Sequence, residues 1–433
     1  MKTELAFYDL FPRVVPCGRR VSLTIAPRDR HAAFPEGQRV YVHAIPMEGG
    51  HPSFSPPGHP VLQVLPWDGG LQFEALFPTE QQYTLLLCDS PDVWAGGRSI
   101  SLQLYALEQD LLALRPLRGC THAHSHHSDG VESPEMVAAC YRENGFDFLA
   151  ITDHHRYQPS LEAMAFYRDL AIDMTLLPGE EVHPPNNPIH IVNFGGSFSV
   201  NDWMKDHLGA YQQEVAALQA GLQVPNGVNP EHIASCTWAF RKIREGGGIA
   251  ILCHPNWTMN GAYNIPEATY QYFLNHVDYD ALELFNGGNS PQENQLQLAA
   301  WYNTDPLVRP PVLAADDAHG CVNGAWFDIA KTYVLAKSTK AEDIKAAIRQ
   351  GLCVAAERFH GESSRVHGPL RLVKYFTFLE REYFPRHDAL CREEGRLMLA
   401  YLAGEQDAKA RLAGLQGQTE QLHRRLVAQQ PKD

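Results

Sequence analysis

The chain reads as an α/β protein whose strands end in metal-binding side chains, and three observations predict this. Short apolar runs recur between residues 113 and 380, and nearly every one stops at His, Asp or Glu. Helix-like stretches lie between those runs, the alternation expected of a parallel α/β core. The segment Cys120-Thr-His-Ala-His-Ser-His-His-Ser-Asp-Gly130 carries four histidines in six residues, which are costly to bury without ligands or hydrogen bonds.

Residues 1–112 have a different texture. Val21, Leu23 and Ile25 alternate with polar or small residues, as do Val40 and Val42, then Tyr83, Leu85 and Leu87, and a fourth run spans Ser99 to Leu107. Period-two alternation is the pattern of a half-buried strand. Pro56-Pro57-Gly58 and Asp68-Gly69-Gly70 punctuate the runs, so this segment is predicted to be a small antiparallel, sandwich-like β domain.

The runs of residues 113–380 follow in order. Phe148-Leu-Ala-Ile-Thr152 leads into Asp153-His154-His155, and Leu176-Leu-Pro-Gly179 into Glu180-Glu181. Ile189-His190-Ile191-Val192 places a histidine inside an apolar run. Gly248-Ile-Ala-Ile-Leu252 ends at Cys253-His254-Pro255, and Pro311-Val-Leu-Ala-Ala315 ends at Asp316-Asp317-Ala318-His319. Barrels of parallel strands display their sites at such carboxyl ends. Ser133-Pro134-Glu135 opens a helix with a capping residue, a first-turn proline and an acid, and Asn144-Gly145 closes it. Residues 230–244 give a second helix with Ile233, Trp238, Ala239 and Ile243 as its stripe. An insertion at about 197–247 is expected to be helical, with Trp203, Leu208, Tyr211, Val215 and Leu218 inward and a Pro-Asn-Gly turn at 225–227. Residues 381–433 form a charged helical extension whose Leu412, Leu415, Leu422 and Leu426 suit packing on the chain or on a second copy.

His122 and His124 alternate, so on an extended strand both rings face one side, and Asp129 precedes Gly130, where a turn can bring it back. Imidazole pairs with a carboxylate suit a divalent cation. These fragments resemble the PHP superfamily, named for polymerase and histidinol phosphatase. The resemblance rests on His122, His124 and Ser128-Asp129-Gly130; Thr152-Asp153-His154; Pro178-Gly179-Glu180-Glu181; His254-Pro255; and Asp317-Ala318-His319. It covers about residues 118–356, and Cys120 stands where the family often has an acid. It implies a distorted seven-stranded (β/α) barrel and two or three divalent ions. One ion would take His122, His124, Glu181 and Asp317; a second would share Glu181 and add His190 and His254; a third would use Asp129, His154 and His319. His183 competes with His190 for its place.

Paired cations lower the pKa of a shared water, and the resulting hydroxide would attack a phosphate ester of a small molecule. Hydrolysis of an amide or carboxylic ester, or a metal-stabilised binding module, are the alternatives. Asp153, His155 and Arg156 complete the expected catalytic set. Asp153, like Asp316, is read as an acceptor orienting a ligand histidine, and Arg156 as a bidentate phosphate clamp. His126, His127, Glu283, Asn286, Arg358 and Arg365 are weaker candidates for the same face. Mixed nitrogen and oxygen donors accept zinc, manganese or iron.

Composition sets limits. With 433 residues there is material for two or three domains. A formal charge of −14 argues against an extended nucleic-acid surface, while bound cations would still draw a small phosphorylated substrate. No run is long and apolar enough for a membrane span, no signal-peptide core opens the chain, and nine scattered cysteines without C-x-x-C suit a reducing cytoplasm. No glycine-rich phosphate loop is present.

Overall fold

The structure, a computed structural model, describes residues 5–49, 61–92, 98–322, 324 and 326–428. The predicted Pro56-Pro57-Gly58 turn lies outside the described residues. The chain divides into two compact units, one made of 1–114, 374–387 and 417–433, the other of 115–373 and 388–416. The boundary near 114 falls beside the change of texture in the sequence. The C-terminal helices are not set apart as one extension but are divided between the units.

In the first unit, Tyr8–Phe11, Arg20–Pro27 and Leu71–Leu76 form a three-stranded antiparallel sheet. A five-stranded sheet runs in the order Val14–Pro16, Ser99–Leu107, Gln81–Cys88, Val40–Pro46, Val61–Val64. Leu23 and Ile25 from the first sheet share one buried cluster with Val40, Val42, Leu85 and Leu87 from the second, the side chains that the alternation marked. The helix Gln418–Leu426 ends against this unit: Arg13 N donates to Leu426 O at 2.7 Å, and Ala428 N to Val14 O at 2.8 Å.

The second unit is α/β with two mixed sheets. One runs Thr175–Leu177, Phe148–Ala150, Arg115–Cys120, Ala330–Ala336, Cys353–Glu357, Arg365–His367, and the other Gly179–Val182, Ile191–Phe194, Ile249–Leu252, Ala281–Asn286, Val312–Ala315. A parallel core was expected, and the pairing differs in part. Ile191–Phe194 is antiparallel to both its neighbours, and Ala330–Ala336 to both of its own. Between Val182 and Ile191 the chain is too short for a crossover, which takes a dozen or more residues, so it can only turn back.

Helices obey their local signals. Pro134–Glu143 begins with Ser133 Oγ accepting from Met136 N and ends at Asn144, with Gly145 at φ 89°. Pro230–Glu245 is capped by Asn229 and buries Ile233, Trp238, Ala239 and Ile243. The insertion helix is broken at His207 into Val200–Asp206 and Leu208–Ala220. The leucine stripe of the tail is broken too, because Gly417 takes a left-handed φ of 78° between Ala408–Leu415 and Gln418–Leu426. Leu412 is buried in the second unit with Leu397 and Met398, and Leu426 is fully buried, so part of the stripe packs within the chain. Among the described residues no helix is long and apolar enough to cross a membrane.

Candidate metal centre

The strand Arg115–Cys120 delivers the first histidine segment. His122 and His124 are both buried, their Nε2 atoms 3.2 Å apart. The loop beyond them folds back on itself, with Gly130 N donating to Ser125 O at 3.0 Å. A Cβ at Gly130 would meet the backbone of His124 and Ser125 at 2.8 Å, so only glycine permits this return, which brings Asp129 Oδ1 to 3.2 Å from His319 Nε2. Asp317 follows Val312–Ala315 and puts Oδ1 at 2.9 Å from His124 Nε2 and 3.2 Å from His122 Nε2. Asp317 and His254 hold left-handed backbone, φ 51° and 29°, a strain that persists only where the surroundings impose it.

Glu181 lies at the middle of the cluster. Its Oε2 is 3.6 Å from Nε2 of both His122 and His124 and 2.5 Å from His154 Nδ1. Its Oε1 is 2.8 Å from His190 Nδ1 and 3.3 Å from His254 Nε2. His190 is not inside its strand, as expected, but immediately precedes Ile191–Phe194. Because that strand is antiparallel, with Ile191 opposite Val182 and Leu252, its start lies at the rim where its neighbours end. His154 faces two ways, with Nε2 at 3.4 Å from Asp129 Oδ2.

All nine expected ligands thus come together. Whether the residues fit cations is decided by their unmet acceptors. Glu181 Oε2, Asp317 Oδ1 and His190 Nδ1 are buried and make no well-directed hydrogen bond. Imidazoles 2.5 and 2.9 Å from the two oxygens offset their charge only when protonated, and a buried carboxylate without such an offset costs several kcal/mol. Cations among these atoms would remove that cost without a proton on the imidazoles. The local titration agrees. Burial alone would raise the Glu181 carboxyl, but the His190 and His122 imidazoles hold it well below the usual range. Burial would likewise raise Asp317, and His122 and His124 bring it down. Burial would lower His122, yet Asp317, Glu283 and Glu181 push it well up.

Other expected residues take different places. Asp153 orients no ligand histidine among the described residues. It accepts from Ser125 N at 2.9 Å, Ser125 Oγ at 2.7 Å, Ser128 N at 3.1 Å and Ser128 Oγ at 2.6 Å, and so fixes the loop between His124 and Asp129. Asp316 accepts the amides of Asp328, Ile329 and Ala330. The orienting role falls to Glu283, whose Oε2 is 3.1 Å from His122 Nδ1, leaving Nε2 to face the cluster. Asn286 links Glu283 to Asp317, at 2.7 and 3.1 Å. Cys120, in the place of the family's acid, bonds back to His122 O at 3.0 Å. Arg358 and Arg365 are paired elsewhere, with Asp328 and Glu357. His127 pairs with Glu162 at 2.8 Å and His126 lies near Glu132 O at 3.3 Å. His183, outside the predicted set, has Nε2 3.0 Å from His154 Nδ1 and 3.6 Å from Glu181 Oε2. Its sequence signal was its place two residues after Glu181.

Beside the cluster opens a cavity of about 680 Å³, bordered by His154 and His183 and reached by His155, Arg156, Asn201 and Lys205. His155, at φ 57°, lies against His183, with ring centroids 4.3 Å apart and planes tilted by 49°.

No family model matches the chain. The chain is 33% identical over 85 residues to the DNA polymerase/3'-5' exonuclease PolX of Bacillus subtilis (strain 168), a stretch that is 19% of this chain and 14% of that protein. Among solved structures, it resembles a two-domain protein containing a predicted PHP-like metal-dependent phosphoesterase from Bacteroides vulgatus, at TM-score 0.41 and 18% identity, over 61% of this chain and 70% of that one. It also resembles an amidohydrolase from Chromobacterium violaceum with bound sulfate and no metal, at TM-score 0.33 and 18% identity, over 61% of this chain and 96% of that one. Likenesses this distant transfer no residue roles.

Proposed function

We propose that this chain is a PHP-type metal-dependent hydrolase, built on that family's distorted (β/α) barrel, that cleaves a phosphate ester of a small molecule. The observation that carries this reading is the trio of buried atoms without a well-directed hydrogen bond, Glu181 Oε2, Asp317 Oδ1 and His190 Nδ1, within a ring of imidazoles. His122, His124, Glu181 and Asp317 would hold one ion, Glu181 with His190 and His254 a second, and Asp129, His154 and His319 a third, with His183 beside the last two. Bound there, zinc, manganese or iron would supply Lewis acidity and an acidified water.

The rest falls to the chain's own side chains. Glu283 keeps His122 in one tautomer, and Asp153 holds the Ser125–Ser128 loop so that His124 and Asp129 face the same point. The cavity has the size of small-molecule sites. Arg156 and Lys205 line it, and neither has an ion pair among the described residues. Unpaired cations there favour an anionic ester over a neutral amide. Arg156, two residues from His154, is placed to hold the phosphate oxygens.

Chelator-washed protein is expected to take up about two or three manganese or zinc ions per chain, measured by plasma emission. Loaded protein is expected to hydrolyse p-nitrophenyl phosphate in preference to p-nitrophenyl acetate. His124→Ala should lose both metal and hydrolysis. Absence of metal uptake, or undiminished hydrolysis by His124→Ala, overturns the reading.

A further inference from the structure

We propose that Lys205 makes the enzyme selective for phosphate esters that carry a second anionic group, and that the helix Val200–Asp206 exists to present it. This deepens the hydrolase reading and rests on it.

That helix is fastened to the cluster by one carboxylate. Glu180, fully buried next to Glu181, accepts from four donors: Asn193 Nδ2 at 3.1 Å, Val200 N at 2.5 Å, Ser199 Oγ at 2.7 Å and Asn201 Nδ2 at 2.9 Å. Asn201 Nδ2 also donates to Glu181 O at 2.9 Å, and Asn201 Oδ1 accepts from His183 N at 3.2 Å. Ser199 Oγ then caps the helix by accepting from Asp202 N at 2.9 Å. Asn201 is therefore pinned to the backbone of two cluster residues. Lys205 comes one turn later, about 6 Å along the axis, and its side chain lines the cavity. A substrate group remote from the scissile ester would meet it there.

Its charge is unused. Asp202 stands three residues earlier on the same helix, yet no ion pair joins it to Lys205 among the described residues. Other lysines of this unit do pair at that spacing, Lys242 with Glu245 at 2.9 Å and Lys345 with Glu342 at 2.7 Å. Room is available as well, since about 680 Å³ far exceeds one phosphate. An ammonium is a point charge that accepts any compact anion, so carboxylate and phosphate are the shared chemistry.

Three esters separate these cases: glycerol 3-phosphate, 3-phosphoglycerate with its carboxylate, and glycerol 1,3-bisphosphate. In the metal-loaded full chain, kcat/KM should be higher for the doubly anionic esters, chiefly through KM. Lys205→Ala should cut that preference about tenfold, Lys205→Arg should keep most of it, and Lys205→Glu should reverse it. Calorimetry should find phosphoglycolate binding the loaded protein about tenfold more weakly in Lys205→Ala. An unchanged preference and an unchanged phosphoglycolate affinity in Lys205→Ala overturn the proposal. If the wild type hydrolyses none of the three esters, the hydrolase reading fails, and calorimetry still decides whether Lys205 reads the second anion.

Discussion

At the scale of single residues, the histidine–carboxylate contact between His122 and Glu283 governs the centre more than its position outside the cluster implies. Glu283 Oε2 at 3.1 Å from Nδ1 fixes the ring's tautomer, and Oε1 accepts from His254 N at 3.2 Å, so one buried carboxylate steadies two expected ligands. Glu283→Gln keeps the shape but weakens the acceptor. It is expected to lower metal affinity by about 10–100-fold while leaving the fold intact, read by competition with a chromogenic chelator and by circular dichroism. An affinity within twofold of the wild type would sink the orienting role. The nine residues that the structure gathers were legible because they stand in short fragments beside turn residues or other donors or, like His190, interrupt an apolar run. The supporting residues were less so. Glu283 was visible only as an acid in an apolar strand, and His183 only as a competitor for the place of His190. Asp153 looked like an orienting acceptor because it abuts His154 in sequence, yet its carboxylate points to Ser125 and Ser128. Side-chain direction depends on partners far along the chain, which spacing does not encode.

At the scale of elements, capping and periodicity placed two helices within a residue or two, Pro134–Glu143 with its Ser133 cap and Gly145 exit and Pro230–Glu245. Strand direction was not legible, because apolar runs look alike in either sense, and Ile191–Phe194 is antiparallel for reasons of loop length. Equally invisible was the long-range tie that holds Pro134–Glu143. Arg142 is fully buried and pairs with Asp147 at 3.1 Å and with Glu394 at 2.8 Å, and Glu394 also accepts from Asp173 N at 2.6 Å. Burial alone would lower the Arg142 guanidinium, but the neighbouring carboxylates raise it, so it stays charged. Removing one partner of such a pair strands the other. Glu394→Ala is therefore expected to cost about 3–5 kcal/mol in urea unfolding. The pair Arg142→Met with Glu394→Leu should recover most of that loss. Equal destabilisation by the single and double variants would contradict the argument.

At the scale of the whole molecule, stability and metal binding are coupled through the same protons, and pH exposes the coupling. In the metal-free protein, burial opposes charge on His122, His154 and His254, yet nearby carboxylates raise all three above the ordinary 6.5. A raised histidine contributes stability that is complete below its unfolded value and is lost as pH climbs through the folded one. Glu181 and Asp317 are lowered, so their contribution holds above the usual carboxylate range and fails only in strong acid. On account of the three raised histidines the metal-free protein should weaken on the alkaline side, where those imidazoles no longer balance the buried carboxylates, while His124, His183 and His190, which burial lowers, withdraw stability as pH falls below about 6.5. Divalent ions need those imidazoles neutral and must displace their protons. The rise in Tm on adding manganese or zinc is therefore expected to be small near about pH 6 and to grow toward about pH 8.5. Scanning calorimetry with and without metal measures this directly. A gain that is flat with pH, or largest in acid, would mean that the ions bind somewhere other than among these side chains.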